Sequence, residues 1–277
     1  LRLTYALPLL LEAAELSRST FYYQMHVLAN PDKGEADLRE RVRAIYEHSQ
    51  GRYGYRSVTL ELVNQGETIN HKRVQRLMAE MGLQSRVRVK RYRAFKGAAN
   101  VVVPNEMDRQ FHAELPNQKW VTDVTEFKVK GMKLYLSPIM DLYNGEIVAY
   151  QMKRRPVFDL VGQMLDQAIQ KLSPEDRPMI HSDQGWQYQH EKYRHKLQAR
   201  ALKQSMSRRG NCLGNAAMES FFGTLKSEFF YLNSFDSIDS LEAGLAEYIR
   251  YYNEDRVKLK LKGLSPVKYR EQAQLAA

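Results

Sequence analysis

At 277 residues, with 43% hydrophobic and 27% charged side chains, the chain is long enough for one sizeable core plus a smaller module, and too apolar to be mostly disordered. A formal net charge of +10 favours polyanionic partners, nucleic acid first and an anionic membrane surface second. A single cysteine, Cys212, excludes an internal disulfide framework and a cysteine-based zinc cluster, so any metal must be held by oxygen or imidazole.

The first apolar run, residues 6–11, is short and meets Glu12 and Glu15, which argues against a signal peptide or a spanning helix and leads us to expect a cytoplasmic protein. The chain starts at Leu1 rather than methionine, as a trimmed chain or the downstream part of a longer translated product would. Residues 5–28 predict two short helices, with Ser17 or Ser19 capping the second. The pair reads either as a helix-turn-helix that offers Arg18, Ser19, Thr20 and Tyr23 to a major groove, or as plain helical packing or a subunit contact. Leu38, Val42, Ile45 and Tyr46 recur at helical spacing and predict a half-buried helix over 35–49, followed by helices at 56–64 and 70–81. No acidic residue lies between Glu80 and Glu106, whereas Arg86, Arg88, Lys90, Arg91, Arg93 and Lys96 accumulate there. This basic linker is either a solvated charge run or a strap along DNA phosphates.

From Lys119 the texture becomes β. Segments 120–127, 133–142 and 146–153 are rich in Val, Ile, Tyr and Thr, and Gly131 and the pair Asn144 and Gly145 separate them, which predicts a three-stranded antiparallel meander. Next come a helix at 157–172, a strand at 178–182, a helix at 189–199, a strand at 201–206, a loop at 207–214, a long helix at 215–231 and a last helix at 238–253. This order predicts an α/β, ribonuclease H-like mixed sheet with helices on both faces, preceded by an all-helical region.

Three carboxylates stand out. Asp123 sits among valines in the segment 120–127, where a bare carboxylate is costly unless paired or bound to a cation. Strand alternation puts it on one face with Thr125 and Phe127, away from Glu126. Asp183 closes the short strand and is followed by Gln184 and Gly185, a strand-to-loop junction of the kind that carries functional groups in α/β sheets. Glu219 lies in the first turns of the long helix, where Ala216 and Ala217 permit close approach to the sheet. Oxygen donors from separate elements suit a hard divalent cation, and two such ions serve in-line phosphodiester displacement. Singly, each acid also reads as a local group: Asp183 a turn former, Glu219 a helix-start charge.

Residues 117–127, 181–185, 207–212 and 218–222 together resemble the integrase-type transposases of bacterial insertion sequences, of the second-reading-frame kind, whose catalytic core is similar to that of retroviral integrases. Thirty-five residues separate Asp183 from Glu219, the spacing typical of that family. Residues 53–56, 70–74, 76–78 and 82–83 fit its helical DNA-binding region, and Tyr252, Asn253, Arg256 and residues 263–266 fit its closing motif. Gly214 stands where many members carry Asp, an acid outside the triad. The resemblance implies a DNA transposase: divalent-metal-dependent cleavage of element ends and strand transfer by a two-metal mechanism at Asp123, Asp183 and Glu219. It implies two Mg2+ ions, with Mn2+ as a substitute, and DNA contacts from Lys226, Arg56, Lys72 and Arg73 and from the basic linker. Implied partners are element-end and target DNA, further copies of the chain on DNA, and an upstream reading-frame polypeptide, separate or fused, with no membrane and a nucleoid-associated location. The organisation expected is a helical DNA-binding region at 1–83, the linker at 84–115, the catalytic core at 116–235 and a C-terminal helix and tail at 236–277. A nuclease of the same fold without strand transfer, or a DNA-binding regulator, is the alternative.

Six other residues invite a role. Asp141 also ends an apolar strand and could be mistaken for a metal ligand. Glu228, nine residues past Glu219, is turned to the opposite helix face and is expected to be exposed or paired. His181 is expected to supply a supporting hydrogen bond rather than act as a base. Trp186 and Tyr188 read either as stacking on a DNA base or as core packing, and Cys212 as a loop residue.

Overall fold

The computed structural model describes residues 6–29, 33–87, 112–207 and 216–275, the side chains of 26–29 and 33 excepted. Arg88, Lys90, Arg91, Arg93, Lys96, Cys212 and Gly214 lie outside the described residues. Two compact units are present, Leu1–Leu62 with Thr68–Gln84 and Val63–Glu67 with Ser85–Ala277. Among the described residues no helix is long and apolar enough to cross a membrane.

The first unit is helical: α1 (Leu7–Ala13), α2 (Arg18–Ala29), α3 (Lys33–His48), α4 (Tyr55–Asn64) and α5 (His71–Glu80). Ser17, not Ser19, caps α2, its hydroxyl accepting the Thr20 N–H at 3.1 Å. Asn70 caps α5 by accepting the Lys72 N–H at 2.9 Å. Leu38, Val42, Ile45, Val58, Leu62, Val74, Leu77 and Met78 form the buried apolar side of α3 to α5. A charge lattice ties α3 to α5: Arg76 reaches Glu35 at 2.9 Å and Glu80 at 2.7 Å, and Arg39 reaches Glu35 at 3.0 Å and also Glu80. Hydrogen bonds from Arg76 and Arg39 hold the Glu35 carboxyl below its usual value. All four side chains are solvated, so this lattice fixes rotamers more than it adds stability.

The second unit is built on a six-stranded sheet: β1 (Lys119–Thr122), β2 (Thr125–Val129), β3 (Met132–Asp141), β4 (Ile147–Lys153), β5 (Met179–Ser182) and β6 (Lys203–Met206). Its helices are α6 (Phe158–Gln170), α7 (Trp186–Gln189), α8 (Glu191–Ala199), α9 (Ala216–Glu228), α10 (Ile238–Glu254) and α11 (Pro266–Leu275), with 3-10 turns at Phe230–Leu232 and Leu259–Leu261. β3 carries β4 on one side and β1 followed by β2 on the other, all antiparallel, and β1–β5 and β5–β6 pair in parallel. This is the mixed ribonuclease H-like sheet expected, and the meander turns on Lys130 and Gly131, both at positive φ of 48° and 80°, the conformation a tight hairpin needs.

The expected continuous strand over 120–127 is broken at Asp123 and Val124. The register with β3 is the same on both sides of the break, Thr122 facing Ile139 and Thr125 facing Leu136, so the residue opposite Asp123 is Pro138. A proline has no N–H to give to a ladder, and the pairing lapses there. Two further differences are short α7, which occupies part of an expected loop, and α9, which ends at Glu228 and passes into a 3-10 turn.

Both faces of the sheet are covered. On one face Val121, Phe127, Leu134 and Leu136 pack against Met218, Phe221 and Leu225 of α9 and Leu241, Leu245 and Tyr248 of α10. On the other, Trp120, Ile139 and Ile180 meet Val161, Met164 and Leu165 of α6 and Tyr188, Tyr193 and Leu197 of α7 and α8.

The closing segments are held to this core by polar staples. Glu228 is buried, and its carboxylate accepts from Arg256 Nε at 2.8 Å and Nη2 at 2.6 Å and from the Tyr248 hydroxyl at 2.9 Å. It is therefore paired and not exposed, because α10 covers the helix face turned away from Glu219. Among the described residues β4 pairs only with β3. Along its open side Asn253 Oδ1 accepts the Ile147 N–H and Nδ2 donates to the Ile147 carbonyl, both at 2.9 Å. Lys171 Nζ donates to the Val148 carbonyl at 2.5 Å.

Candidate active site

The break in the ladder leaves Asp123 half-buried at the end of β1, its Oδ1 accepting the N–H of Val124 at 2.7 Å. Asp183 follows β5, the strand paired in parallel with β1, and is exposed. Its Oδ1 accepts the Gly185 N–H at 2.9 Å, and a Cβ on residue 185 would stand 2.9 Å from that oxygen, so a larger residue there would displace the carboxylate. Glu219 is exposed in the first turn of α9, whose Met218 and Phe222 are buried against the sheet.

These three elements bring the carboxylates into one electrostatic field. Burial pushes the Asp123 carboxyl up to about 7, the charges of Asp183 and Glu219 push the same way, and the Val124 N–H and the Lys226 ammonium oppose them. Among the described residues no three His, Cys, Asp or Glu side chains stand together as a ready-made metal cage. Like charges repel, and Asp123 and Asp183 are turned to local N–H donors instead. The donor set, three carboxylates short of positive charge, fits a hard divalent cation.

The raised proton affinity has a thermodynamic consequence. The folded protein holds this proton more tightly than the unfolded chain, so ionising Asp123 costs stability that is lost as pH rises from 3.8 to about 7. Asp123→Asn removes that cost. In EDTA at pH 8 the variant is expected to unfold at higher denaturant than wild type, by about 1–2 kcal/mol after discounting for solvent screening. The gap should close toward pH 4, and equal stability at pH 8 would contradict the electrostatic account.

Lys226 lies on the Glu219 face of α9, two turns on. Its Nζ donates to Thr125 Oγ1 at 2.7 Å and stands 5.3 Å from the Phe127 ring centroid. Strand alternation marked Thr125 only as a neighbour of Asp123 on one face; no sequence signal linked it to a lysine on α9.

The remaining candidates separate clearly. Asp141 is fully buried, bound by Arg270 at 2.5 Å and by the N–H groups of Asn117 and Tyr143 at 2.9 and 3.0 Å, so it anchors structure rather than metal. His181 is fully buried, with Nδ1 and Nε2 each 2.9 Å from the hydroxyls of Ser205 and Ser207, the supporting role expected. Tyr188 is buried with its hydroxyl 3.3 Å from that of Thr122, so it packs the core and does not stack on a base; Trp186 is 55% exposed. Arg18, Ser19, Arg56, Lys72, Arg73 and Arg86 are all exposed, Arg73 lying 3.9 Å from Glu35.

Known proteins share this organisation. The integrase core domain family matches residues 113–212, a second integrase core family matches 219–273, and the HTH-like domain family matches 33–91, beginning downstream of the α1–α2 pair. A protein of Escherichia coli (strain K12) named as transposase InsK for insertion sequence element IS150 is 54% identical over 272 residues, covering 98% of this chain and 96% of the relative. The chain belongs to the insertion-sequence transposases. As such it is a polynucleotidyl transferase with an integrase core. A transposase-like protein of Haemophilus influenzae is 50% identical over 205 residues, 74% of this transposase and 94% of that protein. Among solved structures, the HTLV-2 integrase catalytic core domain in complex with magnesium is similar with a TM-score of 0.44 and 19% identity, over 56% of this chain and 97% of that one.

Proposed function

We propose that Asp123, Asp183 and Glu219 hold two Mg2+ ions, for which Mn2+ substitutes, and that with them the transposase cleaves the ends of its element and joins them to target DNA. The observation that carries this reading is the Asp123 carboxyl, pushed up to about 7 by burial and by two further carboxylates from separate elements. A site so short of positive charge, made of hard oxygen donors, is suited to divalent cations. Such ions, when bound in a pair, supply activation of the attacking oxygen and stabilisation of the leaving oxygen. The chain's own part is to aim the three carboxylates from β1, β5 and α9, and to present the Lys226 ammonium to a phosphate near the scissile bond.

In this reading residues 1–83 bind DNA through Arg18, Ser19, Arg56, Lys72 and Arg73, residues 84–115 link, 116–235 carry the chemistry and 236–277 close the chain. Copies of the chain assemble on DNA, at the bacterial nucleoid, with or without an upstream reading-frame polypeptide. Arg86, Arg88, Lys90, Arg91 and Arg93 strap along phosphates. Neutralising all five should flatten the dependence of log affinity on log salt by up to about 4.5. An unchanged slope, read from binding titrations at several salt concentrations, would make the run a solvated spacer.

The test of the chemistry is a strand-transfer reaction with a pre-cut 3′-hydroxyl donor end over a magnesium titration. Joining to target DNA, second order in free Mg2+ below saturation, is the expected result. Hydrolysis without joining would make the protein a nuclease, and a rate indifferent to metal would remove the two-ion site.

A further inference from the structure

Thr125 is the first residue of β2, directly after the broken ladder, and the residue is 7% exposed. Strand pairing with Leu136 fixes its backbone, and a β-branched side chain in a strand has few rotamers, so its hydroxyl is a stationary acceptor. It shares a strand face with Asp123 and Phe127. Lys226 comes to this acceptor from α9, 101 positions away in sequence, with Nζ 2.7 Å from Oγ1 and 5.3 Å from the Phe127 ring centroid. Its charge is felt at Asp123.

We propose that Thr125 is a positioning residue for Lys226: its hydroxyl holds the lysine inside the site, so that a donor-end phosphate meets a cation already in place. The inference rests on the reading of the site given above. A lysine carries four rotatable bonds and loses much rotamer freedom when a phosphate immobilises it. The threonine hydroxyl and the phenylalanine ring remove part of that freedom before DNA arrives, which lowers the cost of binding without adding a contact to substrate. An ammonium has three N–H donors, so a bond to Thr125 and a bond to a phosphate oxygen are compatible.

The experiment is a double-mutant cycle in strand transfer from pre-cut donor ends. Thr125→Val keeps the shape and removes the acceptor; Thr125→Ser keeps the acceptor; each is combined with Lys226→Ala, and Glu219→Gln is run as a control. Thr125→Val is expected to raise the donor-end KM about three- to tenfold, as freeing one rotamer-rich side chain would, with kcat and half-saturating Mg2+ within twofold of wild type. Thr125→Ser should stay close to wild type. In the Lys226→Ala background Thr125→Val should add nothing, because the residue acts only through the lysine.

A wild-type KM for Thr125→Val overturns the inference. So does a loss that persists in full beside Lys226→Ala, which would mean plain packing, or a Thr125→Ser variant as impaired as Thr125→Val. If thermal melts show that Thr125→Val does not fold, Thr125→Ala takes its place under the same criteria. Joining by Glu219→Gln would bring down the assignment of the site itself; with Glu219→Gln inactive, the cycle judges Thr125 alone.

Discussion

Asp123→Asn, Asp183→Asn and Glu219→Gln are each expected to lower cleavage and joining by about a thousandfold or more, since on the proposed reading each removes a ligand charge from ions that would supply several kcal/mol at the transition state. Affinity for element-end DNA should stay within a few-fold of wild type, because phosphate contacts and not the metal site dominate it. The local structure makes these substitutions clean. Asn at 183 keeps an oxygen to accept the Gly185 N–H, Glu219 is exposed on its helix, and Asp123→Asn relieves an electrostatic cost. Loss of activity therefore cannot be assigned to unfolding. Joining at the wild-type rate by any one of the three would remove that residue from the site.

The second large effect concerns stability. Arg256→Ala takes from the buried Glu228 carboxylate two guanidinium bonds, at 2.6 and 2.8 Å, and its paired charge, while the bond from the Tyr248 hydroxyl stays. Stranding a buried charge in this way costs about 3–5 kcal/mol. Arg256→Lys should recover only part, since one ammonium cannot reproduce the fork. Combining Arg256→Met with Glu228→Gln should lose far less than Arg256→Ala, because the pair is removed together. Urea unfolding with a fixed m-value would measure all three, and a drop below 1 kcal/mol for Arg256→Ala would mean that the pair is solvated.

What was legible in the sequence was whatever repeats locally. Alternation located β3 and β4, and the 3.6 period located α3, α6, α9 and α10 to within a few residues. The break at Asp123 was not visible in its own segment, whose Trp, Val, Thr and Phe residues read as one strand; its cause lies in the facing strand, at Pro138. A proline inside the apolar run 133–142 was the available signal. Four-residue α7 is too short to show a period, and so the sequence left Tyr188 open between stacking on a base and core packing, the second of which the fold shows.

For the site, residue type and spacing singled out the three carboxylates, and helix rotation put Lys226 with Glu219 and Glu228 opposite. Rotation alone gives a direction and not what lies there. The face that carries Glu228 meets α10 instead of water, and its partner Arg256 is 28 positions on; the acceptor for Lys226 is 101 positions back. Pairings of that range are set by packing, so no local pattern carries them. The closing residues Asn253 and Arg256 were noticed as a motif, and only the fold gives them a task.

That task bears on incomplete chains. A strand that ends a sheet presents bare peptide groups to any passing segment, a common route to aggregation. Here the amide of Asn253 imitates the peptide of a neighbouring strand, satisfying both backbone groups of Ile147, and Lys171 occupies the next carbonyl. A polypeptide terminated before residue 253 would retain every strand of the sheet yet leave that rung open, so truncated products would be recruited into aggregates by their own best-formed element.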